Sequence, residues 1–389
     1  MIPYSRQTIS ILDAINVARQ VKFRSLTQGA QIDRFEQSIA EYVGSKYAVA
    51  VSSATAGLHI AQLALEKPSG SKVITSPISF VASANSIIYA GNSPVFIDID
   101  PNNGNIDAQD LERSIIQDNI KTIVPVHYAG LPCNMEKIYE VCAKYNVNII
   151  EDAAHALGGN YETGEKIGSC RYSDLTVFSF HPVKSITTGE GGVVTTNNEI
   201  LYNRLIKLRS HGIRKDLHSV DNPILGMTKS KRNLWYYEMN SIGFHYRMTE
   251  MQAVLGISQM KKIDKFINKR RNIAHKYNKS LVKLKNVELL GSDKVHLSAH
   301  HLYPIKIKFE NINFSRNELM IKLRELGIMS QVHYLPIQLH PYYKKLGYTT
   351  EQTPNALNFY FQILSIPIYP NLGWRNQRKV IRILNRLLE

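Results

Sequence analysis

Between residues 47 and 151, short runs rich in β-branched and other apolar residues alternate with longer amphipathic ones. This alternation restricts the fold more than any other feature of the chain. The spacing predicts strands at 47–51, 72–75, 94–99, 122–126 and 147–151, and helices at 58–65, 80–89, 107–117 and 134–145. Strands joined through helices lie parallel, because a short hairpin cannot return the chain to the same end of its neighbour. The expected fold class is therefore α/β, a mostly parallel sheet flanked by helices that receives ligands at the carboxyl ends of its strands. Further strands are expected at 176–180 and 193–196, then a basic helix at 198–211 and a polar loop or lid at 215–237. Ahead of the sheet, residues 4–7 read as an extended arm, 11–21 and 33–43 as helices, and 26–29 as a turn. A helix at 249–260 leads into a long basic one, and then the rhythm changes: strand 302–309, helix 315–326, strand 329–334, helices 353–362 and 375–388. This gives an arm with a large domain over 1–255 and a smaller α+β domain over 256–389.

Composition excludes more than it identifies. No apolar stretch approaches a membrane span, and Met1-Ile2-Pro3-Tyr4-Ser5-Arg6 lacks the layout of a signal peptide. Cys133, Cys142 and Cys170 have no metal-binding spacing, and an odd count argues against a disulfide framework, so a reducing cytoplasm is expected. The 47 Lys and Arg exceed the 32 Asp and Glu by 15. The densest part of that excess lies in 261–285, where Ile263, Phe266, Ile267, Ile273 and Leu281 recur between the cations. That pattern is a helix with one buried and one solvated face, and no nucleic-acid motif accompanies it. Neither nucleic acid nor membrane is expected as a partner.

Chemistry is concentrated at the ends of predicted strands. The run Thr176-Val177-Phe178-Ser179-Phe180 stops at His181-Pro182, since proline cannot donate to a sheet ladder. Lys184 follows in a polar turn that closes on Gly189, Gly191 and Gly192 around Glu190. A Schiff-base lysine needs such a place, partly desolvated and able to lose its proton; a surface lysine in a loop has the same local spacing. Ser52-Ser53-Ala54-Thr55-Ala56-Gly57 leads from a strand into a helix, which suits a phosphate at the helix start or simply an N-cap. Asp152 ends an apolar strand, where a carboxylate is costly without a cationic partner. With Phe80 as an aromatic surface, Ala54-Thr55, Asp152 and Lys184 together describe a pocket for pyridoxal phosphate. Helix-end amides take the phosphate, the acid keeps the ring nitrogen protonated and the lysine bonds the aldehyde.

Two stretches carry a specific resemblance. Glu151-Asp152-Ala153-Ala154-His155-Ala156-Leu157-Gly158-Gly159 and Phe178-Ser179-Phe180-His181-Pro182-Val183-Lys184, the latter closing on Gly189-Glu190-Gly191-Gly192, resemble the signatures of the DegT/DnrJ/EryC1/StrS nucleotide-sugar aminotransferases. The likeness runs from Pro3 to the final helix. Ile2-Pro3-Tyr4-Ser5-Arg6-Gln7, Leu26-Thr27-Gln28-Gly29 and Gln331-Val332-His333-Tyr334-Leu335-Pro336 are most similar to members acting in pseudaminic acid synthesis. The resemblance implies an aspartate-aminotransferase-like fold (fold type I), pyridoxal 5′-phosphate as cofactor and a homodimer with shared active sites. It implies amino transfer from L-glutamate to C4 of a UDP-linked 4-keto-6-deoxy-N-acetyl-hexose, another nucleotide keto-sugar being the alternative. By the same resemblance Lys184 is catalytic, Asp152 pairs with the ring nitrogen and Phe80 stacks on the ring. Ala54, Thr55 and Ser179 hold the phosphate, and His155 lies near the ring hydroxyl. His245, where the family usually has asparagine, reaches the phosphate of the neighbouring subunit. Tyr4, Arg24, Ser25, Leu26, Thr27, Gln331, Val332, His333 and Tyr334 are the implied sugar-nucleotide contacts.

Overall fold

The computed structural model describes residues 1–214 and 221–389. Its centre is a seven-stranded sheet in the order β1-β7-β6-β5-β4-β2-β3. These strands are β1 (Tyr47–Val51), β2 (Lys72–Thr75), β3 (Ser93–Phe96), β4 (Thr122–Val124), β5 (Asn148–Asp152), β6 (Leu175–Ser179) and β7 (Gly192–Thr196). Pairs among β2 to β6 are parallel, each connection running through a helix or a long loop. β7 is antiparallel to both β6 and β1, because the link from Phe180 to Gly191 carries no crossover helix. Alternation on β6 shows how the two faces are filled: Phe178 packs with Phe35, Ile39 and Ile167, whereas Leu175 and Val177 pack with Val51, Leu58 and Leu205.

The second sheet is small and antiparallel, Val287–Leu289, Tyr303–Ile307 and Ile363–Ile366. It covers a separate core of Tyr277, Leu281, Ile305, Leu323, Leu364 and Leu384, which also takes in Ile2 from the arm. The strand expected at 329–334 is not one. Its hydrogen bonds change partner within two residues, Met329 donating to Ile2 and Gln331 exchanging bonds with Ser365, before the chain turns towards the large sheet. Helix Ile263–Leu281 does bury one face and solvate the other. Arg270, expected among its solvated cations, is buried and donates to the carbonyls of His300, His301 and Ile368 at 3.0–3.2 Å. Part of the polar segment expected at 215–237 lies outside the described residues; from residue 221 it holds the one-turn helix Pro223–Gly226 and a two-stranded ribbon. Among the described residues no helix is long and apolar enough to cross a membrane.

The arm is fixed by one buried carboxylate in helix α1 (Ile11–Phe23). Asp13 caps Ser10 and accepts from Ser258 at 2.6 Å, Gln259 at 2.9 Å and Lys262 at 2.6 Å, while Gln259 also donates to Thr8 in the arm. Burial would raise its pKa, but the bonds from Lys262, Ser10 and Ser258 prevail and bring it down to about 2. A carboxyl depressed on folding stabilises above its unfolded pKa and loses that contribution as pH falls through the folded one. Asp13→Ala is expected to lower stability at pH 7 by about 1–3 kcal/mol. In chemical denaturation the deficit against wild type should shrink between about pH 4 and pH 2. A deficit unchanged across that window would show that the charge contributes nothing.

Candidate active site

β5 and β6 deliver an acid and a lysine to one cavity of about 430 Å³. On β5 successive side chains face opposite ways. Glu151 enters a buried network with His127, Tyr161, Ser173 and Thr176, and Asp152 lines the cavity. Asp152 Oδ2 accepts from Ser83 Oγ at 2.6 Å, Ser83 Oγ lies 2.6 Å from Ser79 Oγ, and Oδ1 accepts from the Ala154 amide at 3.1 Å. Past β6, the turn begun by His181-Pro182 brings Lys184 to the same cavity. Burial pushes the Lys184 amine down to about 8, against the opposing pull of the Asp152 carboxylate. A sizeable fraction of amine is thus unprotonated near neutrality, as a nucleophilic lysine requires.

A candidate anion cradle forms part of the lining. Helix α2 (Ala54–Ala64) starts directly after β1, with Ser53 as N-cap. Ser53 satisfies the amides of Ala56 and Gly57, leaving those of Ala54 and Thr55 at the positive end of the helix, beside Ser179 on the cavity wall. The sequence put the helix start four residues later, at 58, because the small polar residues 52–57 read equally well as a turn. Gly192 makes the cradle possible: a Cβ there would lie 2.6 Å from the Ala54 nitrogen and 2.7 Å from the Ser53 carbonyl carbon. Both are backbone atoms and cannot swing aside. Gly192→Ala is expected to weaken capture of a phosphate-bearing cofactor by at least tenfold, measured by equilibrium titration, with a folded circular-dichroism spectrum retained. Unchanged affinity would mean that this helix end does not hold the phosphate.

The opposite wall is aromatic and imidazole-rich. Tyr334 and His155 are joined at 3.1 Å between the hydroxyl and Nε2, and the His155 and His301 rings lie 4.5 Å apart. His301 Nε2 is 3.4 Å from Lys184 Nζ. His333 is anchored through Nδ1 to Ser365 Oγ at 2.9 Å and carries Tyr4 against its ring. Burial, reinforced by the Lys184 charge, drives His155 and His301 well below the ordinary histidine range and His333 to about 3. All three rings are neutral near pH 7. Phe80 stands at the mouth, 60% exposed, with its ring 6.3 Å from that of Tyr334.

Of the residues singled out in the sequence, Tyr4, Ala54, Thr55, Phe80, Asp152, His155, Ser179, Lys184, His333 and Tyr334 line this cavity. Arg24, Ser25, Leu26, Thr27, His245, Gln331 and Val332 do not. Arg24 lines a separate basic cavity with Arg19 and Lys261, and His245 stacks on His211 at 5.3 Å. The sequence singles out neither Ser83 nor His301 as a site residue: a serine inside a helix and a histidine before a strand carry no local signal. The cavity suits a pyridine ring bearing phosphate and aldehyde groups: two free helix-start amides, a buried acid, a buried amine, and a His155 Nδ1 without a partner among the described residues.

The sequence profile of the DegT/DnrJ/EryC1/StrS aminotransferase family matches residues 11–385. UDP-4-amino-4,6-dideoxy-N-acetyl-beta-L-altrosamine transaminase of Campylobacter jejuni subsp. jejuni serotype O:23/36 (strain 81-176) is 38% identical over 395 aligned positions, covering 100% of this chain and 98% of the relative. Among solved structures, Helicobacter pylori PseC, an aminotransferase involved in the biosynthesis of pseudoaminic acid, superposes with a TM-score of 0.90 at 31% identity, covering 100% of this chain and 99% of that one. The PLP form of the putative sugar aminotransferase Spr1654 from Streptococcus pneumoniae gives 0.87 at 26% identity, covering 99% and 98%.

Proposed function

This chain belongs to the DegT/DnrJ/EryC1/StrS aminotransferase family, and on that premise we propose that it moves an amino group from L-glutamate to C4 of a UDP-linked 4-keto-6-deoxy-N-acetyl-hexose. The enzyme is a PLP-dependent nucleotide-sugar aminotransferase with an aspartate-aminotransferase-like fold. One observation carries the reading of the site: an amine lowered to about 8 and a buried carboxylate share a cavity with the start of a helix. Its placement in pseudaminic acid synthesis is supported by the two relatives named for that pathway or its sugar.

Bound pyridoxal phosphate supplies an electron sink for the carbanion left when the donor loses its α-proton. Lys184 would hold the cofactor and, once displaced by the donor amine, carry the proton from the donor α-carbon. Run in reverse, the same amine would deliver the proton that completes amination of the sugar carbon. Asp152, itself positioned by Ser83 and Ala154, would keep a proton on the ring nitrogen. Ala54, Thr55 and Ser179 would bind the phosphate, Phe80 would cover one ring face and His155 would meet the ring hydroxyl. Tyr4, His333 and Tyr334 on the opposite wall would receive the sugar.

Arg24 to Thr27 and His245 lie outside their own chain's cavity, which accords with a homodimer in which each copy completes the other's site. The exposed apolar side chains of Ile224, Leu234 and Trp235 offer surface for such a contact. A cytoplasmic setting belongs to the same proposal and is supported by the free, buried thiols of Cys133, Cys142 and Cys170.

The substrate test offers UDP-4-keto-6-deoxy-N-acetyl-hexoses of both C5 configurations with glutamate and identifies the product by NMR. Amination of the L-arabino ketone at C4 is the expected outcome. Preference for the other C5 epimer, or for a 3-keto sugar, would place the enzyme elsewhere in its family.

A further inference from the structure

Lys184 must do more than bond the cofactor. During each half-reaction its amine is free, buried and carried on four rotatable bonds, yet it has to deliver a proton to one carbon. Among the described residues the group within hydrogen-bonding distance of Nζ is His301 Nε2, at 3.4 Å. The His301 ring is itself held in place. Arg270, buried in helix Ile263–Leu281, donates to the carbonyls of His300 and His301. The amides of Ala299 and Leu302 bond to the carbonyls of Gly130 and Ala129, and the His155 ring lies 4.5 Å away. His301 Nδ1 is buried without a partner among the described residues, which leaves Nε2 as the ring nitrogen that faces another polar group, the lysine.

We propose that His301 is a positioning residue for the proton transfer: it docks the Lys184 amine whenever that amine is not linked to the cofactor, through a hydrogen bond accepted at Nε2. This rests on the reading of Lys184 as the cofactor lysine. The charges around the pair support an acceptor. Burial, then Lys184, His155, Arg270 and His333, all act against protonation of His301. Asp152 and Glu190 are the acids on the cavity wall, Tyr334 is un-ionised, and Arg6 lies by a small adjoining cavity that Lys184 and Arg270 also line. The ring therefore stays neutral across the working range, and in its Nδ1–H tautomer the Nε2 lone pair is open to the lysine. A histidine that itself shuttled protons would have to accept one beside an ammonium in a buried pocket, and burial together with the Lys184 and Arg270 charges opposes that.

The test compares His301→Phe, which keeps the volume, with His301→Gln, which can still accept a bond from the lysine but cannot carry a proton. In the cofactor-free protein, competitive acetylation of Lys184 followed by mass spectrometry across pH reads its titration directly. Wild type should titrate near about 8. His301→Phe should titrate about one unit lower, because the ammonium has lost its acceptor, and His301→Gln should return towards wild type. In single turnovers with glutamate, His301→Phe should slow the proton shift by about 10- to 100-fold and enlarge the effect of deuterium at the α-carbon. Cofactor affinity should be unchanged, and His301→Gln should recover most of the rate. An unaltered titration and rate in His301→Phe would overturn the proposal, as would a His301→Gln protein as slow as His301→Phe. If wild-type protein gains no visible absorption band with pyridoxal phosphate, the reading of Lys184 itself fails and the proposal goes with it. If the band forms while His301→Phe behaves as wild type, only the proposal fails.

Discussion

Lys184→Ala protein is expected to gain no visible absorption band with pyridoxal phosphate and to transfer amino groups at least about 10⁴-fold more slowly than wild type. Two roles are lost at once. On the proposed mechanism the covalent tether would go, and so would the base that moves the proton, which alone accounts for about 10²–10⁴-fold. The substitution also removes a buried amine from beside three neutral imidazoles, so the fold should tolerate it. Conversion of glutamate to 2-oxoglutarate, followed with and without the keto-sugar, measures the loss. Activity within tenfold of wild type would rule out the lysine as the proton carrier.

The second large effect is expected from Asp152→Asn, a change that preserves size and can still accept a bond from Ser83. On the proposed mechanism, without the negative charge the ring nitrogen would no longer be held protonated and the developing carbanion would lose its sink. Removal of a preorganised electrostatic partner of this kind costs about 10²–10³-fold in rate. Cofactor should still bind, because the cradle at Ala54 and Thr55 and the amine of Lys184 are untouched. The Lys184 amine should titrate lower than in wild type, since Asp152 is the group that pulls it upward. Stopped-flow traces with glutamate separate these outcomes: a normal half-reaction rate would mean that the ring nitrogen does not depend on this carboxylate.

The large sheet was legible in the sequence because its strands are short β-branched runs between helices. Tyr47–Val51 and Lys72–Thr75 begin and end where the pattern predicts. Asp152 stood out because it ends an apolar strand, and Lys184 because it follows a proline-stopped strand in a polar, glycine-closed turn. The small sheet was harder. Val287–Leu289 is three residues long in a stretch where lysines and leucines mix without a clear period, and Ile363–Ile366 follows a helix with no turn between them. Met329 to Tyr334 has apolar spacing suited to a strand, but the arm and Ser365 divide its backbone hydrogen bonds. Arg270 looks like its charged neighbours until the carbonyls that enclose it are known. His301 and Lys184 stand 117 residues apart, beyond the reach of any local pattern.

The position of β7 has a consequence for how the protein reaches its working state. Tyr47 of β1 pairs with Thr196 of β7, a separation of 149 residues (196 − 47). Ser53 and Ala54 follow the first of these strands, and Gly192 opens the second. Bringing such remote segments together exacts a loop-closure entropy before any contact rewards it, so this pairing belongs to the slow part of folding. A chain emerging from denaturant should therefore acquire helices early and vitamin B6 late, its phosphate berth forming only when the most widely separated neighbours in the sheet have met.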